Sequence, residues 1–525
     1  MATPSLGQFL VAINGFVKAG NASEISNYLA LEPPFNQQYY AMIEELRKTH
    51  PKGQEQGLED KCAQYLTAAD GWSNFARFMV QYFVYLRDIS DDQSQYLATY
   101  ERLLELQTKV NAALGQSSQG TLLLQTVITN ARLLCRLAIG LDKQPDLIAH
   151  LKSAARTGED SGQRETLPER AANTVRTAFV TCLNDRAEMV GGKPKGKQAG
   201  IYILANLCLK VLFQCRKTRN AVQIFENISN AAPPLAAYPR SQRVTYLYYL
   251  GRFLFQSNDF YRAQLALQAA YNLAPAISQT VRQRRLILVY LVTANIILGR
   301  FPTETLLSRP EAEGFGEHFL PLCYAIRQGN RQAFDRYFDP DGPHFNWLVH
   351  YRVCFQLQNR CEVLIWRSLL RKVFQLYGSK PTPESRIAAQ LDLNQALDAF
   401  ASVEPPADDY IDPDLEEAEE DFSTDYQSLD MSAIESKVSS LIDQGFVSGY
   451  IAHARQRLAI LGGHKAAGDH VKAGFPIVWH VVSKKSSDEV PGWKQETSKA
   501  ANPFAGAGPG MVFKFSNLRP IGAAG

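Results

Sequence analysis

The sequence lacks the features that would send it to a membrane, to secretion or to a familiar catalytic class. No apolar run reaches the roughly 20 residues of a membrane-spanning helix. The best candidate, 286–299 (LILVYLVTANIILG), is short, carries Thr293 and Asn295, and reads as a buried helix. The first lysine is Lys18, so the start lacks the basic stretch of a signal peptide, and the expectation is an intracellular protein without membrane insertion. The eight cysteines form no CxxC and no Cys/His cluster of zinc-ligand spacing. Cys208 and Cys215, like Cys354 and Cys361, stand seven apart on one helix face, which favours packing over metal or redox chemistry.

Catalytic signatures are missing as well. There is no GxxxxGK[ST], no GxSxG and no HExxH, and the nine histidines are dispersed. The glycine-rich stretch 505–510 (AGAGPG) has no strand before it and no helix after it. Acidic pairs such as Glu416 and Glu417 sit in a segment too polar to pack. No catalytic residue, metal ligand, cofactor or small-molecule substrate is expected; an enzyme would have to assemble its site from residues that show no motif.

Positive charge is absent from one segment. Residues 401–430 hold twelve Asp or Glu and no Lys or Arg, so against a total of +3 the rest of the chain stands at +15. A basic body with an acidic insert suits a polyanionic partner, with the insert competing for the same surface. A solvated acidic loop explains the same numbers, and composition does not separate the two.

What is present is helical. In 1–190 apolar residues recur at three- and four-residue spacing over 9–17, 75–86, 96–106 and 122–141, with polar breaks at 31–35 (LEPPF) and 157–162. The loop 191–197 (GGKPKGK) reads as exposed and mobile, or as a cover for a phosphate backbone. From about residue 199 a repeat emerges. Tetratricopeptide units have a period of about 34 residues, with small residues where paired helices meet. With Gly251 as the first small position, Ala263, Leu267, Ala270 and Pro275 follow at offsets 12, 16, 19 and 24. A looser unit precedes it (Ala221, Phe225, Ile228, Pro233), and degenerate ones follow to about 378. Arg240, Arg243 and the stretch 282–285 (RQRR) open repeat helices and suggest a second partner surface or plain solvation.

The C-terminal third changes pattern. A helix is expected over 383–400, then the acidic insert, then a helix opened by a capping box of Ser432 and Glu435 and closed by Gly445. Short strands are expected at 447–453 (VSGYIAH) and 457–461 (RLAIL), joined by a turn at 454–456, with a further strand at 475–482 (FPIVWHVV). Residues 484–525, rich in Gly, Pro, Ala and Ser, read as a flexible tail. The fold class is therefore all-α, a TPR-like helical solenoid capped by a winged helix with a small β-hairpin. Its parts are an N-terminal helical region (1–190), a repeat part (199–378), a winged-helix part with the insert (383–482) and the tail.

Basic residues are the remaining lead. Arg455 lies in the hairpin turn and Arg457 opens the next strand. Lys437 is on the preceding helix, His464, Lys465, Lys484 and Lys485 follow, and Arg367, Arg371 and Lys372 lie on the last solenoid helix. Such a set would neutralise phosphates without reading sequence. Each residue alone is equally well explained by solvation. Tyr450, at a strand centre, and Trp479, among Val and Ile, favour the core over base stacking.

A helical array that runs into a winged helix resembles the PCI family. Residues 246–271 (YLYYLGRFLFQSNDFYRAQLALQAAY) and 439–453 (SSLIDQGFVSGYIAH) resemble the branch named for signalosome subunit twelve, which includes the PCI subunit of the nuclear transcription-coupled mRNA export complex. The resemblance covers roughly 200–465. It implies a non-catalytic scaffold in the nucleus, at nuclear pores, with some cytoplasmic pool. The implied partners are a large export scaffold protein with its own winged helix, a small acidic protein of the Sem/DSS kind, and single- or double-stranded RNA or DNA. The implied protein-docking residues are Ser448, Tyr450, Ile451, His453, Leu458 and Ile460. The alternative it leaves open is a signalosome scaffold with no nucleic-acid role. The acidic insert and the long tail depart from the simplest family pattern.

Overall fold

The computed structural model describes residues 5–53, 55–89, 95–116, 119–144, 146, 165–187, 189–379, 388–403, 429–463 and 468–493. The sequence readings of 157–162, of most of the acidic insert and of the tail beyond 493 lie outside them.

Among the described residues eight helices fill the N-terminal region: α1 (Ser5–Ala19), α2 (Ala22–Tyr28), α3 (Gln37–Thr49), α4 (Gln56–Tyr65), α5 (Ser73–Asp88), α6 (Tyr96–Leu114), α7 (Leu124–Asp142) and α8 (Leu167–Leu183). Their starts are written in local chemistry. Asn21 and Asn36 accept from backbone N–H groups of α2 and α3, and Thr166 with Glu169 forms a capping box on α8. Helix α5 is buried on most sides, and its aromatics solve the polar problem this creates. Tyr82 and Tyr85 donate to the carbonyls of Ala30 and Leu31, at 2.8 and 3.0 Å. Residues Gly120–Asp142 are long and apolar enough to cross a membrane, but more than half of that stretch is buried in this core.

The repeat array follows: α9 (Ile201–Gln214), α10 (Val222–Ala231), α11 (Arg240–Gln256), α12 (Phe260–Leu273), α13 (Val281–Ile297), α14 (Glu304–Leu307), α15 (Phe315–Gln328), α16 (Arg331–Tyr337), α17 (Phe345–Tyr351) and α18 (Cys354–Tyr377). Gly251 has the role its spacing predicts. A Cβ there would sit 2.5 Å from Leu267 Cγ, so α11 and α12 approach at a distance only glycine permits. Ala263, Leu267 and Ala270 are fully buried in the same seam. One hydrophobic core runs unbroken from Leu6 on α1 to Ile365 on α18.

The loop 191–197 is exposed at 191–193 and 195, as expected, but Lys197 is buried, and its Nζ donates to Gln116 O at 2.8 Å.

A second core belongs to the winged helix, formed by β1 (Gln390–Asp392), α19 (Leu393–Val403), α20 (Met431–Asp443), β2 (Gly449–Ala452) and β3 (Arg457–Ile460). The sheet is antiparallel in the order β1-β3-β2, with Leu391 opposite Leu458 and Ile451 opposite Leu458 on the other side. The hairpin thus has a third strand, which lies inside the stretch expected to be helical. The cap of α20 is Asp430, whose side chain accepts from Ala433 N, rather than Ser432. Helix α18 serves both cores: Leu357, Cys361 and Ile365 pack in the first, and Leu370, Val373 and Phe374 in the second.

Beyond α21 (His470–Gly474) the expected strand is a helix, α22 (Val478–Lys485). Val478 and Trp479 turn it onto the array. Val478 lies where a Cβ on Gly299 would be 2.9 Å away, and the Arg300 guanidinium covers the Trp479 ring at 4.5 Å. The next residues stay packed. Tyr261 donates to Asp488 Oδ1 and Tyr246 to Gly492 O, both at 2.6 Å, and Val490 is buried. The expected tail therefore begins later than 484; through 493 the chain is a strap along the array.

Candidate nucleic-acid and partner interface

The structure divides the expected basic residues into those used inside the fold and those left on the surface. Arg367 belongs to the first group. Its Nη2 donates to the carbonyls of Phe475 and Pro476, at 3.0 and 2.7 Å, stapling α18 to the chain after α21. Burial, with Arg371 adding to it, lowers its pKa to about 10. Lys372 donates to Gln328 O and closes the end of α15. Lys485 donates to Asp443 O and Gln444 O and closes α20. Lys437 is half-buried, with its ammonium 5.7 Å from the Trp366 ring and 5.5 Å from the Phe400 ring. These four were expected to face phosphates; each has a partner within the fold, while Lys372 and Lys485 remain exposed. His464 and Lys465 lie outside the described residues.

The second group is equal in number. Arg371, Arg455, Arg457 and Lys484 are exposed. Arg455 stands in the single 3-10 turn His453–Arg455 between β2 and β3, and Gln456 completes the reversal in the left-handed region at φ 49. Arg457 reaches across to Gln390 Oε1 at 3.1 Å and keeps its place at the sheet's end. His453 Nδ1 lies 2.7 Å from Glu435 Oε2, which ties the turn to α20.

The expected docking residues divide as well. Tyr450 is 52% exposed on β2, an edge of the sheet, and is not the core residue its strand position suggested. Ile451 is half-buried against the second core. Ser448 joins the sheet margin through its backbone, donating to Gly474 O and accepting from Leu461 N. Leu458 and Ile460 have 0 and 2% of their surface exposed, so they offer a partner nothing; β3 is the central strand, and these side chains build the core beneath it. Exposed apolar residues that the sequence reading passed over are Leu376 and Tyr377 at the end of α18, and Leu461 and Ile477. Their only signal was an apolar pair continuing to the helix end where the stripe should fade.

The second surface expected at 282–285 does not survive in Arg284. It is buried and forms a salt bridge to Glu311 at 2.8 Å, while Tyr271 donates to the same carboxylate at 2.6 Å. Arg285 donates to Glu313 O and covers the Phe315 ring. Among the described residues no group of three His, Cys, Asp or Glu could hold a metal ion. Burial pushes the thiols of Cys62, Cys135, Cys182 and Cys323 up to about 12, which keeps them protonated and poorly nucleophilic.

No protein-family model matches the chain. Among curated proteins it is similar to a PCI domain-containing protein of Schizosaccharomyces pombe, 25% identical over 456 residues, covering 87% of this chain and 92% of the relative. A CSN12 homolog of Neurospora crassa is 31% identical over 221 residues, 41% of this chain and 46% of that protein. A PCI domain-containing protein 2 homolog of Caenorhabditis briggsae is 27% identical over 306 residues, 58% of this chain and 64% of that one. With a helical array ending in a winged helix, these matches support a likeness to PCI-domain proteins. Several of the relatives carry the CSN12 name, which supports a CSN12-like branch.

Proposed function

We propose that the chain is a non-catalytic scaffold subunit of the nuclear transcription-coupled mRNA export complex. Its winged helix docks on a scaffold partner through the β2 edge around Tyr450 and contributes a basic surface that holds RNA or DNA without reading sequence. The observation that carries this reading is the wing itself: Arg455 and Arg457 exposed at one end of the sheet, beside an edge strand with an exposed tyrosine. Guanidiniums on a rigid turn neutralise phosphates, and exposed backbone and ring on the edge suit a protein partner. The reading assigns the chain to the nucleus and brings a small acidic protein into the same assembly.

The test is binding of single-stranded RNA by the chain together with its scaffold partner, over a salt series. The Arg455→Glu/Arg457→Glu variant is expected to weaken binding and flatten its salt dependence; unchanged binding rejects this surface. A second reading, a signalosome scaffold without a nucleic-acid role, is favoured by the name of the Neurospora relative. Mass spectrometry of the purified endogenous complex separates the two, by signalosome subunits in one case and export components in the other.

A further inference from the structure

Three arginines on the array have no carboxylate to explain them. Arg252, on α11, is half-buried in a box of aromatic rings, its guanidinium carbon 5.1 Å from the Phe213 centroid, 5.5 Å from Tyr248 and 4.9 Å from Tyr290. Its Nη1 donates to Tyr248 Oη at 3.2 Å, and its Nε is buried without a hydrogen-bond partner. Two exposed arginines stand on the helix ends next to the box in the chain. Arg216 follows Phe213 at the end of α9. Arg352 follows Tyr351, whose carbonyl accepts from the Tyr290 hydroxyl at 3.1 Å. Burial first, and then the charges of Arg216 and Arg252, lower the pKa of Arg352. Among the described residues none of the three forms a salt bridge.

The backbone at the two neighbours is unusual in the same way. Arg216 and Arg352 have φ of 62 and 57, in the left-handed region where helices ordinarily end on glycine. Each closes its helix in the same pattern, with Lys217 N donating to Leu212 O and Val353 N to Leu348 O. A cation is favoured at any helix C-terminus, which would explain each arginine singly. It does not explain why two helix ends, both strained by a side chain, deliver like charges to a third arginine. Strain of this kind collects where a site is assembled. Beside Arg352 the Phe355 ring is 67% exposed at the start of α18.

We propose that Arg216, Arg252 and Arg352 form a phosphate-binding site on the array for single-stranded nucleic acid, with Phe355 as a face for base stacking. Guanidinium forks match phosphate oxygens, and a basic groove interleaved with aromatics is how single strands are held without sequence preference. The proposal rests on the reading that the chain binds nucleic acid, but not on the wing's part in it.

The test uses the full chain and fluorescein-labelled oligouridine over a salt series. Glycine suits both left-handed positions, so Arg216→Gly/Arg352→Gly removes charge while relieving strain, and its Tm should hold or rise. Affinity is expected to fall roughly tenfold. The log–log salt slope should flatten by about 1.4, the change expected when two phosphates of a single strand are no longer neutralised. Arg216→Lys/Arg352→Lys, which keeps the charge, should retain most of the slope. Unchanged affinity and slope in the glycine variant overturn the proposal, and so does failure of the unmodified chain to bind oligouridine. If Arg455→Glu/Arg457→Glu abolishes binding and the glycine variant does not, the wing reading stands and this one falls. Binding of a polyglutamate peptide that disappears in the glycine variant, with oligouridine unaffected, assigns the site to an acidic protein segment and also rejects the proposal.

Discussion

Arg284 of the array and the arginines of the wing are held in opposite ways. In the array Arg284 is enclosed with Glu311 and Tyr271, so this charge is a structural member of the core. In the winged helix the arginines of the wing are exposed, and the apolar residues that follow them on β3, Leu458 and Ile460, are inside. Basic composition is therefore a poor guide to basic surface: the same side chain serves cohesion at Arg284 and display at Arg455.

The sharpest way to break this comparison is to truncate one arginine of each kind. Arg284→Ala leaves Glu311 buried and unpaired and is expected to destabilise the chain by about 3–5 kcal/mol in urea unfolding. Arg455→Ala should change stability by less than about 0.5 kcal/mol in the same assay; equal effects would erase the distinction. Gly251→Val drives a side chain into Leu267 and should cost about 1–3 kcal/mol, read as a lower urea midpoint. Asp430→Ala removes the cap of α20 and should cost about 1 kcal/mol, a loss confined to the winged-helix side of the comparison. The smallest effect at neutral pH is titration of Glu311. Burial raises its pKa, but hydrogen bonds from Tyr271 and Arg284 outweigh burial and hold it below the ordinary value. Its contribution is full above the unfolded glutamate pKa of about 4.3 and is lost as pH falls through the folded value. Acid unfolding curves should thus show a shallower loss for Glu311→Gln than for the parent chain.

The solenoid was legible because close helix packing leaves few residue choices. Gly251, Ala263 and Ala270 could be placed from spacing alone, and the structure buries all three. The fold class and the winged-helix ending were legible for the same reason, a helix stripe passing into short alternating strands. Strand β1 was not, since three residues make no pattern and its pairing with β3 spans more than sixty positions. Residues 478–485 misled because Val, Trp and Val suit a strand; tertiary packing of Val478 and Trp479 on the array overrides that preference. The candidate site was least legible. Whether Arg367 meets a phosphate or the carbonyls of Phe475 and Pro476 depends on where a segment more than a hundred residues away returns, and nothing near Arg367 in the chain records it. The arginine box behaves likewise, since Phe213, Arg252 and Tyr290 come together from three different helices.

Helix α18 runs for 24 residues without interruption, a rod of about 36 Å at the usual rise per residue. Because its first half is glued into one hydrophobic interior and its second half into the other, there is no hinge between them, and the strap through Gly492 fastens the far side. A force applied to the cap by whatever grips it is thus delivered to the middle of the array as torque on a stiff lever rather than absorbed at a joint. Cutting the gene anywhere within 354–377 would accordingly yield two fragments, each missing one wall.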